Sequence, residues 1–177
     1  MNSFLQDKDI KLRAPELEDL EAMYRLENTT DLWQYANVTG PYSRYALKRF
    51  IEQSQNDLFS DLQLRLMIEI AAKEVVGIID LFNYDPFNRR AEIGIIVEAT
   101  RRRQGIGRTA LTLLTDYAFR RLAVHQLYAY IDRTNTACLS LFVSCGYREC
   151  ACLKDWIRAH EGGFRDASML RLISSLP

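Results

Sequence analysis

A basic run with two glycines is the part of this sequence best suited to hold a ligand. It reads Arg102, Arg103, Gln104, Gly105, Ile106, Gly107 and Arg108. It lies between a strand-like segment, Glu92 to Val97, and a helix-like segment, Thr109 to Leu122. Backbone amides at the start of a helix have no helical carbonyl partners, and together with the helix dipole they favour binding of phosphate. Nearby arginines add charge-assisted contacts, and glycines let a ligand approach the backbone closely. The run therefore predicts a polyphosphate site, and a polyphosphate that carries an acyl group is the best candidate.

Two familiar phosphate motifs do not fit this run. A P-loop needs Lys followed by Ser or Thr after its second glycine, and Gly107 is followed by Arg108. The dinucleotide-binding fingerprint needs three glycines, and this run has two. The spacing that remains is Arg102-x-x-Gly105-x-Gly107, which by itself also fits a basic loop that caps a helix.

The composition favours one globular domain over residues 1–177, long enough to bury a substantial core. The charge is balanced, with 23 basic and 23 acidic residues, which argues against a general nucleic-acid or membrane surface. The first residues lack the pattern of a signal peptide, and no apolar run reaches membrane-spanning length. We therefore expect a soluble cytoplasmic protein.

The four cysteines do not suggest a metal site. They are Cys138, Cys145, Cys150 and Cys152, and they lack paired CxxC spacing. The only histidines are His125 and His160, so we expect no metal and interpret the cysteines as thiols in a reducing compartment.

Apolar patterns and capping residues predict alternating strands and helices. Strands are predicted at 11–13, 64–70, 75–83, 91–97, 126–131, 147–154 and 168–173. Helices are predicted from Pro15 to about Glu27, from a cap at Ser43, at 109–122, and from a cap at Asn135 to Gly146. The order β-α-α-β-β-β-α-β-α-β-β predicts a mixed sheet covered by helices.

This order, together with several local motifs, resembles the Gcn5-related N-acetyltransferase (GNAT) superfamily. The motifs are the stretch Arg89 to Val97, the 102–108 run, Asn135-Thr136-Ala137 and Cys145-Gly146-Tyr147. The segments 11–14, 153–155 and 166–170 fit the branch of spermidine N-acetyltransferases and ribosomal-protein N-terminal acetyltransferases. The resemblance implies an α/β (α+β) fold with a mixed, mainly antiparallel central sheet flanked by helices. It also implies acetyl-CoA as co-substrate.

The resemblance assigns roles around the cofactor. The backbone of the strand would pair with the pantetheine arm, the amides from Arg103 to Arg108 would hold the pyrophosphate, and Asn135 would contact the arm. The implied cofactor-binding residues are Ile95, Ile96, Val97, Arg102, Arg103, Gln104, Gly105, Ile106, Gly107, Arg108 and Asn135. The three strand residues also suit a core strand, and Asn135 also suits a plain helix cap.

Glu92 is the catalytic candidate. An alkyl amine has a pKa near ~10.4 and arrives protonated, so a group must accept its proton directly or through water. Family members often carry a carboxylate on this strand. The alternative is a structural carboxylate paired with Arg89 or Arg90.

The sequence departs from the family at Phe142. The family places a tyrosine seven residues after the helix-starting asparagine, where its hydroxyl protonates the leaving thiolate. Phe142 has no such proton. Nearby hydroxyls are Tyr147, Ser140 and Ser144, and water is a further candidate.

The resemblance also implies that the acceptor binds near the loop between the first two helices. This loop carries Glu27, Asp31, Trp33, Tyr35 and Tyr42. Carboxylates and aromatic rings could hold a polycation by ion pairing and cation–π contact, and a solvated acidic loop with buried rings is the alternative.

Three functions follow from these observations. The first is an N-acetyltransferase acting on a primary amine, with a polyamine such as spermidine as the first substrate class. The second is an acetyltransferase for a protein N-terminus. The third is a non-catalytic acyl-CoA-binding module, which Phe142 keeps open. A homo-oligomer is a further possibility.

Overall fold

The computed structural model describes residues 4–35, 38–71, 73–159 and 162–175. Within them, strands β1 to β8 are Gln6–Asp7, Ile10–Arg13, Leu64–Ile70, Glu74–Asp85, Arg90–Val97, Gln126–Asp132, Arg148–Arg158 and Phe164–Ile173. Helices α1 to α6 are Leu20–Glu27, Thr30–Trp33, Arg44–Gln53, Leu58–Asp61, Ile106–Arg120 and Thr136–Ser144. Short 3-10 turns at Leu17–Asp19 and Ala99–Arg101 precede α1 and α5.

The strands form one sheet in the order β1-β2-β3-β4-β5-β6-β8-β7. Every neighbouring pair is antiparallel except β5 and β6, which run parallel. The predicted mixed, mainly antiparallel sheet with flanking helices is therefore confirmed. In the described segments, no helix has both the length and the apolar character needed to cross a bilayer.

Each face of the sheet has its own apolar core. On one face, α5 and α6 pack on alternate residues of β5 and β6, among them Ala91, Ile93, Leu127 and Ala129. On the other face, α1 and α3 pack on Met67, Val75 and Ile78 of β3 and β4. Because side chains alternate along a strand, Glu92 points to the face of α1 and α3.

The parallel strands β5 and β6 separate part-way along their length. Their pairing covers Arg90 with Gln126, Ala91 with Leu127 and Glu92 with Tyr128. From Ile93 to Val97, β5 continues to pair with β4 only. One backbone edge of β5 is thus open along a wedge between the two strands, and that edge can pair with an extended ligand.

The helix caps follow the sequence prediction. The Ser43 hydroxyl accepts the Ala46 amide at 3.1 Å, and the Asn135 side chain accepts the Cys138 amide at 3.2 Å. Gly146 follows the C-cap residue Cys145 and has a φ of 91°, as a C′ glycine does.

Some boundaries were predicted wrongly. The helix expected from Thr109 begins at Ile106, because Ile106 is buried and extends the apolar face of α5. Strand β1 and helices α2 and α4 were not predicted, since two to four residues are too few to show a period. Between the predicted strands at 64–70 and 75–83, residue 72 lies outside the described residues.

Candidate active site

The start of α5 presents a row of unpaired backbone amides. Gly105 is its N-cap with φ 82°, and the first amide bonded back to the loop is that of Thr109, which donates to the Gly105 carbonyl at 3.0 Å. The amides from 103 to 108 donate to no acceptor within the described residues. A left-handed cap without a side-chain partner leaves these donors and the helix dipole available to an anion.

The basic side chains around this loop have different partners. Arg101 binds Glu74 at 2.7 Å, Arg102 donates to the Val97 carbonyl at 3.0 Å, and Arg108 donates to the Ser144 carbonyl at 3.4 Å. Arg103 is exposed, has a φ of 61°, and makes no ion pair or hydrogen bond with the described part of the chain. Among the described residues the Arg103 guanidinium therefore has no partner, while Arg102 and Arg108 donate to backbone carbonyls without an ion pair, so their charges also remain available to a ligand.

The two glycines of the run differ in their surroundings and in their backbone conformation. A Cβ on Gly105 would meet nothing within 4 Å, so this position needs glycine for its positive φ. A Cβ on Gly107 would lie 3.4 Å from Leu141 Cδ2, 3.8 Å from Val97 Cγ2 and 3.9 Å from Ile95 Cδ1. The missing Cβ of Gly107 therefore faces protein side chains where α5, α6 and β5 meet, at ordinary contact distances.

The predicted cofactor strand and Asn135 lie at the same edge of the sheet. Ile95, Ile96 and Val97 form the part of β5 that borders the wedge. Asn135 follows the carboxyl end of β6, and the carboxyl ends of parallel strands share one edge. Its Oδ1 caps α6, while its Nδ2 makes no hydrogen bond in the described regions. This leaves one polar group of Asn135 available at the wedge.

Glu92 lies at the closed end of the wedge. Its carboxylate accepts a hydrogen bond from Asn83 Nδ2 at 3.0 Å, and burial raises its pKa above the ordinary value of 4.5. Arg90 instead pairs with Asp85 at 3.2 Å. Among the described residues Glu92 has no cationic partner. This does not support the alternative that Glu92 is a structural carboxylate paired with Arg89 or Arg90. A half-buried carboxylate with a raised pKa is suited to accept a proton.

The position of the usual tyrosine is filled by a core side chain. Phe142 is 1% exposed, and its ring meets that of Tyr147 edge to face with centroids 5.0 Å apart. The Tyr147 hydroxyl is bound to Thr115 Oγ1 at 2.8 Å, and burial raises its pKa. The Ser144 hydroxyl donates to the Leu141 carbonyl, whereas Ser140 is exposed and makes no hydrogen bond with the described residues. Tyr147 is thus held inside the core with its hydroxyl hydrogen-bonded to Thr115.

The acceptor loop is tied to the sheet through Glu27 at its start. Glu27 is buried and pairs with Arg65, which also binds Asp80 at 2.8 Å, and the Trp33 indole donates to the Glu27 carbonyl at 2.9 Å. The Glu27 carboxylate is thus already neutralised by its ion pair with Arg65.

Further along the loop, the side chains are more open. Asp31 is exposed, and the exposed Tyr35 ring lies 6.0 Å from the guanidinium of Arg165. Arg165 donates to the Gln34 carbonyl at 3.0 Å, and its Nε lies 2.8 Å from the buried Asp132 carboxylate. Asp31 and Tyr35 therefore remain open to a ligand.

Sequence reasoning did not single out a group of three aromatic residues that begins beside Glu92. Tyr128 pairs in register with Glu92, Tyr130 follows on the same face of β6, and Trp156 of β7 reaches Tyr130. The alternation Leu127-Tyr128-Ala129-Tyr130 could have shown that both tyrosines share a face. Their position next to Glu92 depends on strand order, which the alternation does not give. In the residues described, no cluster of His, Cys, Asp and Glu side chains could hold a metal ion.

Comparison with known families gives a match over most of the chain. The profile of the family described as Acetyltransferase (GNAT) domain matches residues 9–148. The spermidine N(1)-acetyltransferase of Vibrio cholerae is 26% identical over 143 residues, covering 81% of each protein. The uncharacterized N-acetyltransferase p20 of Bacillus licheniformis is 28% identical over 171 residues, covering 96% of this chain and 95% of the relative.

Solved structures have the same fold. The crystal structure of spermidine N-acetyltransferase from Vibrio cholerae in complex with CoA and spermine superposes with a TM-score of 0.85, at 24% identity, over 94% of this chain and 96% of that one. The dodecameric structure of the enzyme from the same organism has a TM-score of 0.78, at 24% identity, over 94% and 95% of the two chains.

Proposed function

This chain belongs to the acetyltransferase (GNAT) family, and on that premise we propose that it transfers the acetyl group of acetyl-CoA to a primary amine of a polyamine such as spermidine. The substrate class is supported by the relatives named as spermidine N-acetyltransferases. The observation that carries the proposal is the wedge between β5 and β6, with unpaired amides at its open edge and Glu92 at its closed end.

The residues of the wedge fit acetyl-CoA. The six successive free amides from 103 to 108 and the unpaired Arg103 suit a pyrophosphate, which carries negative charge on several oxygens. The backbone edge at Ile95, Ile96 and Val97 is not paired with β6 and, apart from the Val97 carbonyl held by Arg102, suits the amide groups of a pantetheine arm. Nδ2 of Asn135 is a further donor at the same edge. When bound, acetyl-CoA supplies the thioester whose acyl group is transferred.

Glu92 would act on the acceptor amine. The protonated amine gives up a proton to the Glu92 carboxylate, directly or through water, and its free nitrogen attacks the thioester carbonyl carbon. A C–N bond forms and the C–S bond breaks, and the second proton that the nitrogen then loses passes through water to the leaving thiolate. Holding both reactants in one wedge supplies much of the acceleration through proximity. Asn83 keeps the Glu92 carboxylate oriented through its 3.0 Å hydrogen bond.

Water would protonate the leaving thiolate. Phe142 offers no proton, and the hydroxyl of Tyr147 is engaged with Thr115. A thiol with a pKa of about 8.5 is a tolerable leaving group, so side-chain acid catalysis is dispensable.

Acceptor binding would involve the loop that contains Asp31, Trp33 and Tyr35. Asp31 and Tyr35 are exposed and can meet a cation directly. Because Arg65 already neutralises Glu27, we assign Glu27 a part in shaping the loop and give the charge contact to Asp31. We further propose that residues 1–177 form one domain acting in the cytoplasm. A homo-oligomer is supported by the dodecameric relative.

A panel of acceptors tests this function. Thiol release from acetyl-CoA is measured with spermidine, spermine, a short monoamine and a peptide with a free N-terminus. We expect release with both polyamines at a higher kcat/KM than with the monoamine or the peptide. Preference for the peptide would contradict the polyamine assignment, and binding of acetyl-CoA without release to any amine would contradict the enzymatic function.

A further inference from the structure

Three aromatic side chains form a continuous row on the sheet face that carries Glu92. The rings of Tyr128 and Tyr130 have centroids 5.6 Å apart, and the ring of Trp156 lies 5.6 Å from that of Tyr130. Leu127 and Ala129 point into the core on the opposite face, so both tyrosines face the side of α1 and α3. We call Tyr128, Tyr130 and Trp156 the aromatic row.

The aromatic row is not part of either apolar core. Trp156 is 55% exposed, and both tyrosines are only partly buried. Neither tyrosine hydroxyl nor the Trp156 indole nitrogen has a hydrogen-bond partner within the described segments. Buried Tyr and Trp usually find such a partner, and large rings left at a surface in contact with one another are typical of binding sites.

One end of the row meets an unpaired negative charge. Tyr128 pairs in register with Glu92 across the two parallel strands. Glu92 has no cationic partner in the described residues. A cation that follows the rings from Trp156 through Tyr130 to Tyr128 therefore arrives at a carboxylate. Ring faces attract ammonium groups, and the carboxylate adds charge complementarity.

We propose that the aromatic row binds the cationic aliphatic chain of the acceptor polyamine and directs its reacting nitrogen to Glu92. The proposal rests on the proposed function and names the surface that selects its substrate class. Two steps of 5.6 Å between rings suit a chain that bears several ammonium groups separated by methylenes. A compact monoamine covers only one ring. The row would therefore discriminate between polyamines and short monoamines.

Calorimetric titration of spermidine into the protein saturated with CoA tests the proposal without requiring turnover. Trp156→Ala and Trp156→Leu remove the π system, and Trp156→Phe retains one. We expect the first two variants to weaken spermidine binding about 3- to 30-fold, the range of a cation–π contact, and Trp156→Phe to stay closer to wild type. Affinity for CoA is expected to be unchanged in all three.

Phe87→Ala is the matched control, because Phe87 is an aromatic side chain that is 93% exposed and has no ring contact with the row. It should leave spermidine affinity unchanged. Spermidine affinity within twofold of wild type in Trp156→Ala and Trp156→Leu, or no spermidine binding by the wild type, would overturn the proposal. Spermidine binding that depends on Trp156 without acetyl transfer would overturn the proposed function and leave the aromatic row supported.

Discussion

Phe142 and Tyr147 pack edge to face in the core, with ring centroids 5.0 Å apart and ring planes at 73°. Phe142 occupies the position of the family's proton donor, and Tyr147 is the nearest aromatic hydroxyl in the following segment. The Tyr147 hydroxyl is hydrogen-bonded to Thr115 Oγ1 at 2.8 Å. The pair therefore serves packing, and we expect thiolate departure to proceed without a side-chain proton from either residue.

Phe142→Tyr should change turnover little. Its new hydroxyl would enter a buried site beside the Tyr147 ring, where leaving it without a partner costs about 1–3 kcal/mol. We expect a lower free energy of unfolding by denaturant titration and a kcat within a few-fold of wild type. As a control, Tyr147→Phe should cost about 1 kcal/mol with an unchanged kcat. A gain in kcat on the scale of general acid catalysis, about 10²–10⁴, would show that the native chain lacks a needed acid.

Glu92→Gln should lower kcat by about 10² or more, because the amide keeps the shape but accepts no proton. Burial raises the pKa of Glu92, so wild-type kcat should rise as pH increases through that raised pKa. The pH–rate profile of the variant should lack this rise at acidic pH, while the affinity of the variant for acetyl-CoA stays unchanged. Equal pH–rate profiles for the two proteins would eliminate Glu92 as the proton acceptor.

Glu92→Gln is expected to lower kcat but to raise the stability of the fold at neutral pH. A carboxyl whose pKa is raised on folding stabilises the fold most when both states are protonated, and this contribution is lost as pH rises through the folded pKa. Glu92→Gln should therefore be more stable than wild type at neutral pH, and the difference should shrink below about 4.5. Denaturant titrations at neutral pH and below about pH 4.5 measure this difference in stability. A variant less stable than wild type at neutral pH would contradict the argument that burial raises the pKa of Glu92.

Local signals were enough to predict much of this fold. Ser43 and Asn135 cap helices where predicted because a cap depends on neighbours three residues away. The pairing of Glu27 with Arg65 joins residues 38 positions apart, and that of Glu92 with Tyr128 needs the parallel register of β5 and β6. No local pattern contains such information, so the acceptor side of the candidate site could be predicted only in part. Gly107 shows the same limit, because its neighbour Leu141 belongs to another helix.

Gly105→Ala should weaken acetyl-CoA binding more than Gly107→Ala. At Gly105 the φ of 82° disfavours any residue with a Cβ, at a cost of about 1 kcal/mol, and relaxation would turn the loop amides away from the pyrophosphate. At Gly107 an added methyl meets Leu141 at 3.4 Å, close to ordinary contact. Calorimetry with acetyl-CoA should give a loss of up to about tenfold for the first variant and little for the second. The reverse order would contradict the assignment of the loop geometry.

Arg65→Met should destabilise the protein by about 3 kcal/mol, because it leaves Glu27 and Asp80 in a largely buried site without their shared cation. The exposed pair Lys48–Glu52, with 3.7 Å between charges, provides the control, and Lys48→Met should cost less than about 0.5 kcal/mol. Urea titrations compare the two. Equal small losses would mean that the Arg65 pairs contribute no more than surface ones.

Acetyl transfer itself is the most direct test of this account. The purified protein is incubated with acetyl-CoA and spermidine, and the amine is analysed by mass spectrometry beside a matched reaction with Glu92→Gln. We predict spermidine carrying one added acetyl group, formed with release of an equal amount of CoA, and much less acetylated spermidine with the variant. Spermidine recovered unmodified while acetyl-CoA is bound would contradict the central claim that the wedge between β5 and β6 is a polyamine acetyltransferase site.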